Sequence, residues 1–337
     1  MKQSSKKNYF FVCTGLQVVN AMEYLYHEKL EDSENILVTY FFYKQVYEEV
    51  QMIVNQFPWT KIIHIIPPTL LNIKNEHLRY IATNLYGNVH IRSFRFANST
   101  IIGNDLNPYY RFATRSKKLK KIVFIDDGAG SVHYDGNSPY SGYGIKNKMM
   151  YRLLGIKNHI VRPNVFFTAF LLEKFLPKKS ENQTIITNSF KYLKSKCQDK
   201  ERSDIMFFIG DPLVERGYIS FEKYVQAITA VQEKFTDKKL IYIPRLTESD
   251  HFLHQLEPYV TIQRNKVPFE IFISSLEYFP YALVGYHSSV HFNVRKMYGN
   301  SINFYFLRLK DFTTKTHYEN TNKILDSLAK FAKEINY

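Results

Sequence analysis

Short apolar runs and longer amphipathic stretches alternate along most of this chain. Tyr9–Cys13 is β-branched and aromatic and reads as a strand, followed by a tight turn at Thr14-Gly15. From Leu16 to His27 the apolar positions Leu16, Val19, Met22, Leu25 and Tyr26 recur at helical spacing. Ile36–Phe42 predicts a second strand, and Gln45–Phe57 an amphipathic helix that ends before Pro58. Lys61–Ile66 predicts a third strand stopped by Pro67-Pro68, and Thr69–Tyr86 a helix. Strands are expected at Val89–Arg92 and near Thr100–Ile102, a helix opening at Asn107-Pro108, and a strand at Ile122–Asp126. Lys146–Leu154 reads as helix, and Arg162–Phe170 as strand or loop. This alternation predicts right-handed βαβ units around a parallel sheet.

A polar, charged, weakly patterned stretch intervenes, and the alternation then resumes. Asp204–Ile209, Lys239–Ile243, Val260–Gln263, Tyr281–Gly285 and Ser301–Phe306 read as strands. Phe221–Phe235, Pro268–Leu276, Ser288–Tyr298 and Glu319–Ile335 read as helices. The expected organisation is an α/β domain over 1–176, a connection over 177–203 and a second α/β domain over 204–337. Two open parallel sheets in succession suggest a cleft between them. No solenoid-type repeat is present.

Composition narrows the class. With 45% hydrophobic and 23% charged residues, the 337-residue chain is globular. A formal charge of +14 favours anionic partners such as nucleic acid, anionic lipid or a phosphorylated substrate. Two cysteines, Cys13 and Cys197, build neither a disulfide framework nor a metal knuckle. No apolar run spans a bilayer, and the apolar stretch near the start is too short for a signal peptide. A reducing cytoplasm is expected, with peripheral attachment to the inner face of the membrane left open. The absence of GxGxxG and Walker loops argues against NAD and ATP.

Candidate chemistry sits where strands end. Ile122–Tyr134, IVFIDDGAGSVHY, closes a buried strand with Asp126 and Asp127 followed by small residues. In open α/β sheets ligands bind beyond the carboxyl ends of strands. Two readings stand: a carboxylate that meets a substrate, or an Asx turn that caps backbone N–H groups. Adjacent residues on an extended chain face opposite ways, so the pair makes a poor chelate, whereas one member alone serves as a base. In FFIGDPLVERGYIS the strand stops at Gly210, and the plain reading of Gly-Asp-Pro is a turn with Glu215 solvated. Arg245, in LIYIPRLTE, lies past a strand end on the same edge as Gly210 and is either a phosphate clamp or a surface cation. Glu270 opens a helix, as a dipole partner or as an acceptor for ribose hydroxyls. Ser288-Ser289, after Gly285, opens another helix as a phosphate site or an ordinary cap. His287 and His291 stand four apart with no third metal ligand.

These ordered motifs resemble bacterial sialyltransferases, most closely glycosyltransferase family 52, the lipooligosaccharide sialyltransferases. VCTGLQ (12–17), IDDG (125–128), IGDPLVE (209–215), YIPRLTE (242–248), Glu270 and Ser288-Ser289 follow the family's order. The resemblance implies a metal-independent GT-B enzyme, with two Rossmann-like domains facing across a cleft and no cofactor. It implies CMP-sialic acid as donor and a terminal sugar of a bacterial surface glycan or glycolipid as acceptor. Asp126 or Asp127 would be the base, and Arg245 with Ser288-Ser289 would meet the phosphate charge. Glu270 would hold the ribose, Gly210 would line the donor site, and Thr14, Gly15 and Gln17 the opposing edge. One departure is chemical: Arg245 stands where the family has a histidine, and arginine gives up no proton near neutrality. Another nonulosonic acid, or a UDP-hexose, is the alternative donor. A non-enzymatic alternative is a nucleic-acid or membrane-surface binder using the basic run Arg115–Lys121. No aromatic RNA-binding signature accompanies that run, so nucleic acid is not the expected partner. An anionic membrane surface and a homodimer stay open.

Overall fold

The computed structural model describes residues 6–41, 43–66, 72–75, 78, 82, 85–86, 89–103, 107, 109–128, 131, 162–170, 183–197, 200–308 and 315–337. The chain divides into two compact units, Met1–Tyr192 and Leu193–Tyr337. Each is built on a parallel sheet.

The first sheet contains β1 (Lys7–Val12), β2 (Glu34–Thr39), β3 (Lys61–His64), β4 (Ser99–Ile102), β5 (Lys121–Ile125), β6 (Val165–Thr168) and β7 (Thr184–Thr187). Their order is β3-β2-β1-β4-β5-β6-β7. The chain winds outward from β1 to β3, returns to the centre, and continues from β4 to the other edge. The order therefore reverses between β1 and β4. The register aligns Val12 with Thr39, Phe11 with Ile102, Ile102 with Phe124, and Ile125 with Phe167. The carboxyl ends of β1, β4, β5 and β6 thus form one edge.

Helix α1 (Gly15–Glu28) follows β1, and its first turn is capped by the Thr14 hydroxyl, which accepts from Gln17 N–H. Helix α2 (Lys44–Val54) follows β2. Central strands are buried on both faces, which is why they read as continuous apolar runs rather than alternating ones.

The second sheet contains β9 (Ile205–Ile209), β10 (Lys239–Ile243), β11 (Thr261–Ile262), β13 (Ala282–Gly285), β14 (Asn303–Leu307) and β15 (Lys333–Ile335). Its order is β11-β10-β9-β13-β14-β15, so the reversal falls between β9 and β13. A separate parallel pair joins β8 (Glu201–Arg202) to β12 (Tyr278–Phe279). Phe208, Tyr224, Tyr242, Tyr286 and Phe252 fill the centre of this unit. Phe208 stacks on Tyr242 with ring centroids 5.6 Å apart.

Several expectations are corrected. Val89–Arg92 is not a strand: Ile91–Phe94 forms one helical turn, α3, that packs Phe94 against Tyr9 and Phe11. Four residues alternating apolar and polar, Val-His-Ile-Arg, are too few to tell strand from helix. After the single turn α4 (Tyr110–Ala113), the stretch 177–203 contains the boundary between the two units and also contributes structure of its own. It supplies edge strand β7, the short helix α5 (Lys191–Ser195) and β8. Helix α6 (Phe221–Lys234) is as expected, but the sequence reading misses α7 (Asp250–Leu256), capped by Ser249. Then come α8 (Phe269–Ser275), α9 (Ser289–Tyr298) and α10 (Lys315–Leu328). The closing helix expected to reach Ile335 stops at Leu328. Ile335 is buried instead as part of β15, in register with Leu307. The helix expected at Lys146–Leu154 lies outside the described residues, as does most of Thr69–Tyr86.

Candidate functional site

In the first unit the site grows from Gln17. Its backbone N–H is used in capping α1, so the side chain is free to turn across the strand ends. Its Oε1 accepts from Cys13 N–H at 2.6 Å, and its Nε2 donates to Asp127 Oδ1. Fully buried and pinned at both ends, Gln17 bridges β1 to β5 directly over the end of β4. That crossing requires glycine at 103, where a Cβ would overlap the Gln17 amide. The bridge lies at the point where strand order reverses, the place at which open α/β sheets present ligand crevices.

The adjacent carboxylates part company. Asp126 is buried; its Oδ2 accepts from Ala169 N–H at 2.6 Å, and its backbone carbonyl accepts from Asn20 Nδ2 at 3.0 Å. Asn188 Nδ2 donates to Asn20 Oδ1 at 3.0 Å, extending this buried chain to the end of β7. Oδ1 of Asp126 makes no hydrogen bond. Burial pushes its carboxyl up to about 7, against the Thr168 hydroxyl, the Ala169 N–H and the Ser131 hydroxyl, with the Asp127 charge adding to the rise. Asp127 is only half-buried, and its backbone N–H donates to Ser131 Oγ at 3.1 Å. The carboxylate within reach of solvent is therefore Asp127, while Asp126 ties β5 to β6. Thr14 caps α1, and Gly15 is buried in its first turn.

In the second unit a different set collects at the reversal between β9 and β13. Asp211 follows Gly210 and is buried. Its Oδ2 stands 3.7 Å from Arg245 Nη2 and 3.4 Å from His287 Nδ1. The loop that holds Arg245 is anchored from behind. Glu248 accepts from Arg245 N–H at 2.6 Å and from the Tyr242 hydroxyl at 2.5 Å, and Tyr242 meets Tyr224 at 2.8 Å. Burial raises the Glu248 carboxyl to about 7, and the Tyr242 and Arg245 N–H bonds pull it back. Gly210 makes room for this anchor, since a Cβ there would overlap Glu248 Oε2 and come to 2.7 Å from Tyr242 Oη. Glu215 accepts from Ser249 N–H at 3.0 Å and ties the turn after β9 to the same loop.

Ser288 is the cap of α9: its hydroxyl accepts from Val290 N–H at 3.3 Å and is buried. Ser289 is half-buried in the first turn. Glu270 is buried in the first turn of α8, where its Oε1 accepts from Asn293 Nδ2 at 2.7 Å. Burial raises its carboxyl. The two histidines diverge. His291 is buried with Nε2 at 3.1 Å from Tyr305 O, and burial lowers it to about 4. Among the described residues no three His, Cys, Asp or Glu side chains gather as a metal site.

The structure thus brings together Gln17 with Asp127, and Gly210 and Arg245 with three residues that sequence reasoning passed over. Those are Asp211, read as part of a turn; Glu248; and His287, weighed only as a metal ligand. Gly103 was missed too. The signal available for Asp211 and His287 was position, since each follows a strand that ends in glycine. The basic run Arg115–Lys121 leads into β5, so it stands at the amino edge of the first sheet, opposite Asp127. Among the described residues no helix is long and apolar enough to cross a membrane.

No protein-family model and no curated protein sequence matches the chain. Solved structures do. A Listeria monocytogenes protein assigned as a UDP-N-acetylglucosamine 2-epimerase aligns with TM-score 0.57 at 14% identity, over 99% of this chain and 93% of that one. Phytolacca americana UGT2, complexed with UDP-2-fluoro-glucose and pterostilbene, aligns with TM-score 0.51 at 11% identity, over 100% and 86%. Arabidopsis thaliana UGT89C1, complexed with UDP-L-rhamnose, aligns with TM-score 0.53 at 8% identity, over 98% and 85%. The fold is the GT-B type, two Rossmann-like domains with parallel sheets. At these identities the likeness extends to the fold alone.

Proposed function

We propose that the chain is a nucleotide-sugar-dependent glycosyltransferase whose first unit activates an acceptor hydroxyl and whose second unit holds the donor. The observation that carries this reading is Asp127. It is a partly accessible carboxylate at the end of β5, next to the strand-order reversal, oriented by a buried amide that the backbone itself holds. Asp127 takes the proton of the acceptor hydroxyl. The acceptor oxygen then bonds to the anomeric carbon as the bond from that carbon to the nucleotide phosphate breaks. The electron pair leaves on the phosphate, where the Arg245 guanidinium and the first-turn N–H groups of α9 meet the charge.

A UDP-sugar is the donor class proposed here. Its support is that solved structures of this fold carry UDP-sugars. CMP-sialic acid is the second reading, favoured by the Asp126-Asp127-Gly128 and Ser288-Ser289 motifs in their order along the chain.

The test is thermal stabilisation by UDP and by CMP, followed by transfer from UDP-hexoses and CMP-sialic acid to a galactose-ended acceptor. Stabilisation by UDP with hexose transfer supports the first reading, and stabilisation by CMP with sialic acid transfer the second. Stabilisation by neither, with no transfer, sinks both.

A further inference from the structure

Asp211 is 1% exposed, and neither of its carboxylate oxygens makes a hydrogen bond. A buried carboxylate without donors is expensive, so its retention calls for a charge that it faces. Arg245 Nη2 at 3.7 Å and His287 Nδ1 at 3.4 Å face it, and that imidazole nitrogen is itself buried without a hydrogen bond. Behind them α9 begins, turning its first-turn N–H groups to the same strand edge. With the imidazole neutral, the Asp211 carboxylate cancels the Arg245 guanidinium, so two groups suited to gripping an anion have little net charge between them.

We infer that this cluster takes up a phosphate together with a proton: the anion docks against Arg245 and the N-terminus of α9, and His287, held by Asp211, becomes imidazolium as it does so. The inference rests on the nucleotide-sugar reading above and specifies how the nucleotide is gripped. The charged groups that act on His287 come from two loops. Burial lowers its basicity, Asp211 raises it, and Arg245 and Arg216 lower it further. An arriving phosphate adds negative charge beside the ring and reverses that balance. The step is a pure protonation: one proton passes from solvent to the imidazole, and no covalent bond to carbon or phosphorus changes. It also gives Asp211 a purpose. Without a ligand it prevents the cluster from carrying excess positive charge; with one, it stabilises the imidazolium.

The experiment is isothermal titration calorimetry of the full chain with UDP, CMP and inorganic phosphate. Each titration is run in buffers of different ionisation enthalpy between pH 6 and 8.5. The expected result for the nucleotide that binds is uptake of close to one proton at pH 7.5. Its Kd should rise by up to about tenfold per pH unit above neutrality, as single-proton linkage requires. His287→Asn should abolish the uptake and flatten the pH profile. Asp211→Asn should tighten binding at pH 8 relative to wild type, because it frees the Arg245 charge. If UDP or CMP binds the wild-type chain without proton exchange, the inference is overturned while the nucleotide reading stands. If neither binds but phosphate does, with uptake lost in His287→Asn, the nucleotide reading falls and the proton-coupled site remains. Binding by none of the three overturns both.

Discussion

Replacing Asp126 by asparagine should make the first unit more stable above neutral pH, because the native carboxyl is held where its charge is penalised. The folded protein keeps the proton on Asp126 up to about pH 7, whereas the unfolded chain releases it near 3.8. Between those values the folded state binds more protons than the unfolded state, so stability falls as pH rises and levels off above 7. The gap between 3.8 and about 7, at roughly 1.36 kcal/mol per pH unit, sets a loss of about 4 kcal/mol. Asparagine imitates the neutral acid at every pH. Its carbonyl can still accept from Ala169 N–H, and its amide occupies the place of the unpartnered Oδ1.

The assay is urea unfolding of wild type and Asp126→Asn at intervals from pH 5 to 8. Tryptophan fluorescence reports the correct unit, since Trp59 is the only tryptophan and packs against Phe10 and Phe57, 5.2 and 5.5 Å between centroids. Half-buried His64, whose basicity is lowered, contributes an opposite pH trend, but it does so in both proteins and cancels in the difference. At pH 5 the variant should already be the more stable by roughly 1.6 kcal/mol, and the gap should widen to about 4 kcal/mol by pH 8. Parallel profiles, or a variant less stable at pH 8, would refute the assignment of Asp126 as a buried, mostly neutral tie.

Other substitutions test the rest of the arrangement. Asp127→Asn should lower kcat by roughly 10²–10⁴-fold with little change in donor affinity, and unchanged turnover in a transfer assay would remove Asp127 as base. Gly103→Ala drives a methyl into the pinned Gln17 amide. It should cost about 1–3 kcal/mol in Trp59-monitored unfolding and depress turnover as well, while a change under about 0.5 kcal/mol would show that Gln17 moves aside freely. Gly210→Ala should displace Glu248 from Arg245 N–H and weaken nucleotide binding measured by calorimetry. Wild-type affinity in that variant would dissociate the Glu248 anchor from the phosphate grip.

Much of the architecture was legible from one dimension. The apolar runs at Tyr9–Cys13, Ile122–Asp126, Asp204–Ile209 and Tyr281–Gly285 announce strands buried on both faces, because only such strands lack alternation. Amphipathic helices between them imply parallel pairing, since a parallel crossover needs that length. The acids, serines and arginine after those runs had to lie near a carboxyl edge, because each follows its strand directly. Local pattern was weakest where elements are short or at a boundary. Val89–Arg92 offers too few residues to show a period, and Ile335 continues the helical spacing of Ile324 and Leu328 although it pairs with Leu307.

What position along the chain determined, then, was which residues reach a strand end. What only tertiary structure decided was which of them meet. Gln17 and Asp127 are 110 residues apart, and β4 must enter between their strands, with glycine at its end, before the amide can cross. Asp211, Arg245 and His287 come from three separate loops, and the insertion of β9 between β10 and β13 places them around one carboxylate. Likewise nothing in the dipeptide Asp126-Asp127 says which acid is buried. That follows from β6, whose end offers Ala169 N–H to one carboxylate, while α1 turns Gln17 toward the other.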